Sequence, residues 1–266
     1  MSSTVIEAIR LPAGELPGRY TVLGLPVDAV DMEGALAEVD RMVRTAECPG
    51  YILAANPEKV YAVPASSFLA EFFRSAALVI PDGIGVVIAL RWLYGLRLTR
   101  AASSDLMQHI CAAAPTRGYR IFVYGASEEV NAGAVRELGR RHPGIRIVGR
   151  ANGFLQEPEM PALISQINKS EADILFVGLG SPKQEQWMHR WLPKLNVKVC
   201  QGIGGTLDTI VGRVKRAPQA WQRVGLEWLY RLLQQPWRIG RQRRLLVFAW
   251  EVFWERTRKN ADGRGS

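Results

Sequence analysis

Cysteine is scarce in this 266-residue chain: Cys48, Cys111 and Cys200 lie far apart, odd in number and with no CxxC pair. That usage fits a reducing compartment and argues against a disulfide framework or a structural zinc site. His109, His142 and His189 are equally scattered, so no metal cluster is visible in the sequence. There is no Asp-x-Asp to hold a divalent cation on a diphosphate, and neither a metal nor a cofactor is expected. Neither GxGxxG nor a Walker A sequence occurs, which removes the usual dinucleotide and ATP signatures; GxSxG is missing too, and with it serine hydrolase chemistry. No run of about 18 apolar residues exists, so no segment is expected to span a membrane. Met1 to Arg19 lacks a basic region followed by an apolar core, so no signal peptide is expected and the expected compartment is the cytoplasm.

What the chain does have is a hydrophobic fraction of 48% and a formal charge of +9. The length allows one large or two small domains with a substantial core. The charge is unevenly placed. From Arg213 onward there are thirteen basic and four acidic residues, so the tail carries the whole net charge and residues 1 to 212 are balanced. The tail also holds five of the eight tryptophans, at positions 221, 228, 237, 250 and 254. A polyanionic partner follows, either nucleic acid or an anionic membrane face. Arginines alternating with a broad Trp/Leu face fit a bilayer interface better, and no nucleic-acid-binding motif is present. The alternative is that these aromatics pack against the core or a second copy of the chain.

Along the chain, short β-branched and aliphatic runs alternate with helical spacing. Residues 1 to 19 read as a loose arm, and Tyr20 to Val30 as two short strands broken at Gly24 and Pro26. Asp31 caps a helix; Tyr51 to Ala55 is a strand, with Pro57 in the first turn of the next helix. Ala77 to Ile80 is a strand stopped by Pro81-Asp82-Gly83, with a helix from Gly83 to Tyr94. Ser104 or Asp105 is expected to cap a helix through Ile110 to Ala114. In the second half, strands are expected at 119–124, 145–148, 174–177 and 197–200, and helices at 128–141 and 158–168. Ser181-Pro182-Lys183-Gln184 reads as an N-cap serine, a first-turn proline and a capping-box glutamine. The pattern implies α/β architecture, a largely parallel sheet with helices on both faces. The expected division is a 1–19 arm, a 20–212 core in halves of about 20–116 and 117–212, and a 213–266 basic helical appendage.

Three stretches could carry chemistry. Asp82 sits at a strand's C-terminal end, where open α/β sheets place their ligands; equally, it could be a turn former or the N-cap of the next helix. Gly178-Leu179-Gly180 and Gly202-Ile203-Gly204-Gly205 each follow a strand, and glycine turns at helix starts suit a phosphate-bearing ligand. Without a metal, arginines or helix ends must neutralise a diphosphate.

Longer segments are more specific. Among them are Gly24-Leu25-Pro26-Val27-Asp28, Ala55-Asn56-Pro57-Glu58, Pro81-Asp82-Gly83, Arg100 with Ser104-Asp105-Leu106, and Gly178 to Glu185 (GLGSPKQE). Gly202 to Gly205 with Asp208, Gly212 to Pro218 (GRVKRAP), and Leu226 to Leu232 (LEWLYRL) complete the set. In this order they resemble the WecG/TagA/CpsF family of bacterial glycosyltransferases, from about Tyr20 to Arg244.

The resemblance implies a Rossmann-like core with a C-terminal membrane-binding appendage. The reaction implied is an inverting, metal-independent transfer, of hexosyl or N-acetylhexosaminyl type, from a UDP-sugar to an undecaprenyl-diphosphate-linked saccharide in surface or exopolysaccharide biosynthesis. Carried over by motif, Asp82 would be the general base, and Asn56 and Arg100 would meet the acceptor. Gly180, Gln184, Gly204, Gly205 and Asp208 would line the nucleotide-sugar pocket, and Arg231, Arg238 and Arg241 would lie near the diphosphate. The expected location is the inner face of the cell membrane. Two positions depart from the common pattern: Ala54 where Thr is frequent, and Ser103 where Gly is frequent. A non-catalytic, membrane-associated nucleotide-sugar-binding or scaffold protein is the alternative.

Overall fold

The computed structural model describes residues 18–214, 217, 218, 221, 229, 230, 233 and 239–262. The chain opens with an antiparallel hairpin, β1 (Arg19–Val22) and β2 (Leu25–Asp28). Positive φ at both Leu23 (48°) and Gly24 (85°) is the requirement of a tight two-residue hairpin turn. Buried Asp28 then does two jobs. It accepts from Arg19 Nε at 2.7 Å and from the backbone N–H of Val79 at 2.7 Å, so the hairpin is tied to the edge of the main sheet.

The sheet is built from β3 (Gly50–Ala55), β4 (Leu78–Pro81), β5 (Arg120–Gly125), β6 (Arg146–Ala151), β7 (Ile174–Gly178) and β8 (Val199–Gly202). Its order is β4-β3-β8-β7-β5-β6, and all five pairings are parallel. Its helices are α1 (Met32–Thr45), α2 (Pro57–Ala62), α3 (Ser67–Arg74), α4 (Ile84–Tyr94), α5 (Ser103–Arg117) and α6 (Glu128–Arg141). There follow α7 (Met160–Lys169), α8 (Lys183–Trp191), α9 (Thr206–Ile210) and α10 (Ile239–Asp262). Alternate residues of each strand serve opposite faces. Leu53, Phe122, Val177 and Cys200 meet α3, α7 and α8, whereas Ile52, Ile121, Phe176 and Val199 meet α1, α5 and α6. Burial on both faces explains why the strands read as continuous apolar runs.

Several local expectations are corrected. The run Ser67 to Arg74 forms α3, capped by Ser66, which the sequence reading passed over. The next helix after Asp82 has Gly83 as its N-cap, not Asp82, and α5 begins at Ser103, without a side-chain cap from Ser104 or Asp105. Helix α8 starts at Lys183 with no side-chain cap, because Ser181 and Gln184 are engaged elsewhere. Asp31 does cap α1, accepting from Gly34 N at 2.9 Å.

Helix α10 packs on α4 and α2 through Phe248 and Val252, both buried in the same cluster as Val86 and Leu90. Glu255 accepts from Leu23 N at 3.1 Å, and the Arg256 guanidinium lies 4.2 Å over the Trp92 ring. The opposite face leaves Val247, Trp250, Phe253 and Trp254 exposed, and Ile88 and Trp92 of α4 are exposed as well. The tail aromatics thus divide, with Phe248 in the core and the two tryptophans outside it. Among the described residues no helix is long and apolar enough to cross a membrane.

Burial also sorts the thiols. It pushes Cys111 up to about 12 and raises Cys200 further, whereas Cys48 is exposed. Because the thiolate is the reactive form, native protein at pH 8 should release one equivalent of chromophore with a disulfide reagent, rising to three in denaturant. Rapid labelling of more than one thiol in the native state would contradict this burial.

Candidate active site

Connections leave β5 towards β6 and leave β7 towards β8, in opposite directions, which opens a crevice above the C-terminal ends of these two neighbours. Gly125 (φ +129°) makes that crevice tight: a side chain there would put its first carbon 2.3 Å from Gly178 O. Ala126 N donates to the same Gly178 oxygen at 3.0 Å, and Gly153 N donates to Ala126 O at 2.7 Å. Gly153 lies against Leu179, and the next residue, Phe154, is 72% exposed. Phe154 N is fixed by Asn152 Oδ1 at 3.0 Å. The sequence reading missed Phe154, although an Asn-Gly turn at a strand's C-terminal end was the available signal.

On the other side of β8, Asp82 and Asn56 come together. Both Asp82 N and Gly83 N donate to Ala55 O at 3.0 Å, which folds the turn after β4 onto the end of β3. Gly83 is required there, because a side chain would stand 2.7 Å from Pro57 Cδ and 3.2 Å from Asn56 Cα. Half-buried Asn56 caps α2, its Oδ1 accepting from Lys59 N at 3.1 Å. The Asp82 carboxylate accepts from Ser103 N at 3.1 Å, so it caps a helix after all, but one that begins 21 residues later. A carboxylate at a helix N-terminus is favoured electrostatically.

Ser103 extends the connection. Its hydroxyl donates to Gly202 O at 2.9 Å, and fully buried Gln201 donates through Nε2 to Ser103 O (3.0 Å) and Oγ (3.2 Å). Ser103 therefore braces Asp82 against the end of β8. Arg100 sits in the loop joined to β4 by Ala101 N to Pro81 O at 3.1 Å, and its Nη2 is 3.7 Å from Asp105 Oδ2.

The glycine turns after β7 and β8 are also linked. Buried Gln184 accepts from Gly204 N at 3.0 Å, and its amide fills the space a side chain at Gly202 would need. Gly180 lies in the turn before α8, Gly205 is the N-cap of α9, and Asp208 stands half-buried in the first turn of α9. Beneath them, Lys59 donates to Glu185 Oε1 at 2.6 Å and to the Ser181 hydroxyl. Neither Lys59 nor Glu185 was anticipated as a pair, since 126 residues separate them. Arg231 and Arg238 lie outside the described residues, as does the side chain of Arg241, whose backbone is in α10.

The sequence model of the Glycosyl transferase WecG/TagA/CpsF family matches residues 20–262. The chain belongs to this family. As a WecG/TagA/CpsF glycosyltransferase it needs a place for a nucleotide-sugar and a place for an acceptor. The described residues put the Asp82 carboxylate and two glycine turns at the same end of one parallel sheet.

Proposed function

We propose that the protein is an inverting, metal-independent glycosyltransferase that moves a sugar from a UDP-sugar to an undecaprenyl-diphosphate-linked saccharide at an anionic membrane face. The observation that carries this reading is the Asp82 carboxylate, held by Ser103 N at 3.1 Å on the sheet end that also bears the linked Gln184–Gly204 turns. In this reading Asp82 takes the proton of the acceptor hydroxyl as its oxygen bonds to the anomeric carbon. The bond from that carbon to UDP breaks on the opposite face, and UDP leaves with the electron pair. Asn56 and Arg100 border the acceptor. Gly180, Gln184, Gly204, Gly205 and Asp208 border the nucleotide-sugar, and Arg231, Arg238 and Arg241 supply the positive charge a leaving diphosphate needs.

The crevice between β5 and β7 suits the nucleoside, and the exposed Phe154 ring offers its base a stacking surface. Base–aromatic stacking contributes about 1–3 kcal/mol, so Phe154→Ala should raise the donor KM by about tenfold with kcat little changed. Phe154→Trp should retain the wild-type KM. Steady-state kinetics at saturating acceptor reads both.

The whole reading is tested by offering the purified protein a panel of UDP-sugars with undecaprenyl-diphosphate-linked mono- and disaccharides in detergent. Release of UDP with an anomerically inverted product is the expected result. Tight UDP binding without turnover of any donor would favour a non-catalytic nucleotide-sugar-binding protein instead.

A further inference from the structure

One buried charged pair has no part in the chemistry above. Lys59 is 8% exposed and Glu185 1%, and their contact at 2.6 Å joins α2 to α8. From this geometry we infer that Lys59 is a positioning residue, a strut that holds the donor-side turns in register with Asn56 and Asp82. The inference rests on the donor-side reading of Gln184 and Gly204 given above.

The connections run without a gap. Asn56 Oδ1 holds the backbone of Lys59, at 3.1 Å from its nitrogen, and Asn56 lies against Gly83, next to Asp82. The Lys59 ammonium, 5.5 Å from the centre of the Phe73 ring, reaches across to Glu185 and to the Ser181 hydroxyl, so it meets both the turn after β7 and the first turn of α8. Adjacent to Glu185 is Gln184, which holds Gly204 N at 3.0 Å. The Lys59 side chain therefore ties the acceptor-side helix to the turn after β7 and to α8, and Gln184, next to Glu185, carries the connection on to the turn after β8.

Stability is a poor reason for such a pair. Removing two charges from water costs about as much as their attraction returns, and apolar residues of similar volume often serve the fold as well or better. This pair is not even fully satisfied: buried Glu185 Oε2 has no hydrogen-bond partner among the described residues. Direction is what an ion pair supplies and a Met–Met contact does not. A displacement of about 1 Å at a reacting site can cost on the order of a hundredfold, so loss of that direction is expected to matter.

The test compares Lys59→Met, the double variant Lys59→Met/Glu185→Met, and Ser181→Ala. Lys59→Met strands a buried carboxylate and should lower Tm; the apolar double variant should return to within about 3 °C of wild type. Despite that recovery, UDP titration by calorimetry should show affinity about tenfold weaker, and amides 203–205 should exchange with deuterium faster. Ser181→Ala, at an exposed position, should weaken UDP by about threefold at unchanged Tm. Wild-type UDP affinity in a double variant with recovered Tm would overturn the inference, leaving the pair as a brace of the fold alone. If the double variant does not recover Tm, unchanged UDP affinity in Ser181→Ala overturns it instead. Failure of wild-type protein to bind UDP would sink the donor-side reading, whereas exchange at 203–205 would still report whether Lys59 fixes that turn.

Discussion

Asp82→Asn is expected to lower kcat by about three orders of magnitude while the protein keeps its fold and its affinity for UDP. General-base catalysis contributes roughly a hundredfold to ten-thousandfold, and an amide cannot accept the acceptor's proton at neutral pH. The substitution is chosen because Asp82 also has a structural duty, accepting from Ser103 N at the start of α5. Asparagine keeps an acceptor oxygen at that place, so α5 keeps its cap and Tm should move little. Asp82→Ala removes both functions, and should add a stability loss of about 1 kcal/mol to the same collapse of kcat. Turnover at saturating donor and acceptor, a thermal melt and a UDP titration, made on both variants, separate the two duties. Wild-type turnover by Asp82→Asn would reduce Asp82 to a helix cap and remove the base from the mechanism.

The cap that Asp82 gives α5 shows where sequence reasoning reaches and where it stops. Alternating strand and helix patterns are local, and helix α6 has the bounds its spacing gives, Glu128 to Arg141. Asp82 as a cap was also a sound local idea, but the helix it caps lies beyond an intervening helix and loop. Only the parallel pairing of β3 with β4 and β8 brings Ser103 under it. The Ser181–Gln184 capping box failed for a related reason. Both side chains have tertiary partners, Lys59 and Gly204, and a local motif cannot announce that competition. Insertion of β8 between β3 and β7 is similarly illegible, because every strand is an apolar run and strand order is settled by long-range packing. The glycines were legible as turns; that Gly83 and Gly125 are required by close backbone approach emerges only in three dimensions.

The second large effect is expected at the outer face of α10. Trp250→Asp/Trp254→Asp should release the protein from vesicles containing anionic phospholipid, weakening partition by about a hundredfold or more. Trp250 and Trp254 are 61% and 46% exposed, with rings 5.6 Å apart, and Phe248 and Val252 hold the opposite face of the helix in the core. The substitutions therefore leave the docked face intact, and Tm should change little. Roughly 100 Å² of each ring remains to be buried, about 2.5 kcal/mol per ring at 25 cal/mol per Å². Charge supplies the rest of the attraction, since the tail carries the chain's entire +9. The two contributions respond differently to salt. Raising ionic strength from 0.1 to about 1 M shortens the screening length from about 10 to 3 Å and should weaken wild-type binding, while the aromatic contribution persists. Vesicle sedimentation at both ionic strengths measures each part. Undiminished binding by the double variant would move the membrane contact away from this face. Because Phe248 also packs on Gly85, two residues from Gly83, α10 joins that face directly to the turn that carries Asp82. An acceptor whose lipid stays in the bilayer would then meet the base without leaving the membrane surface.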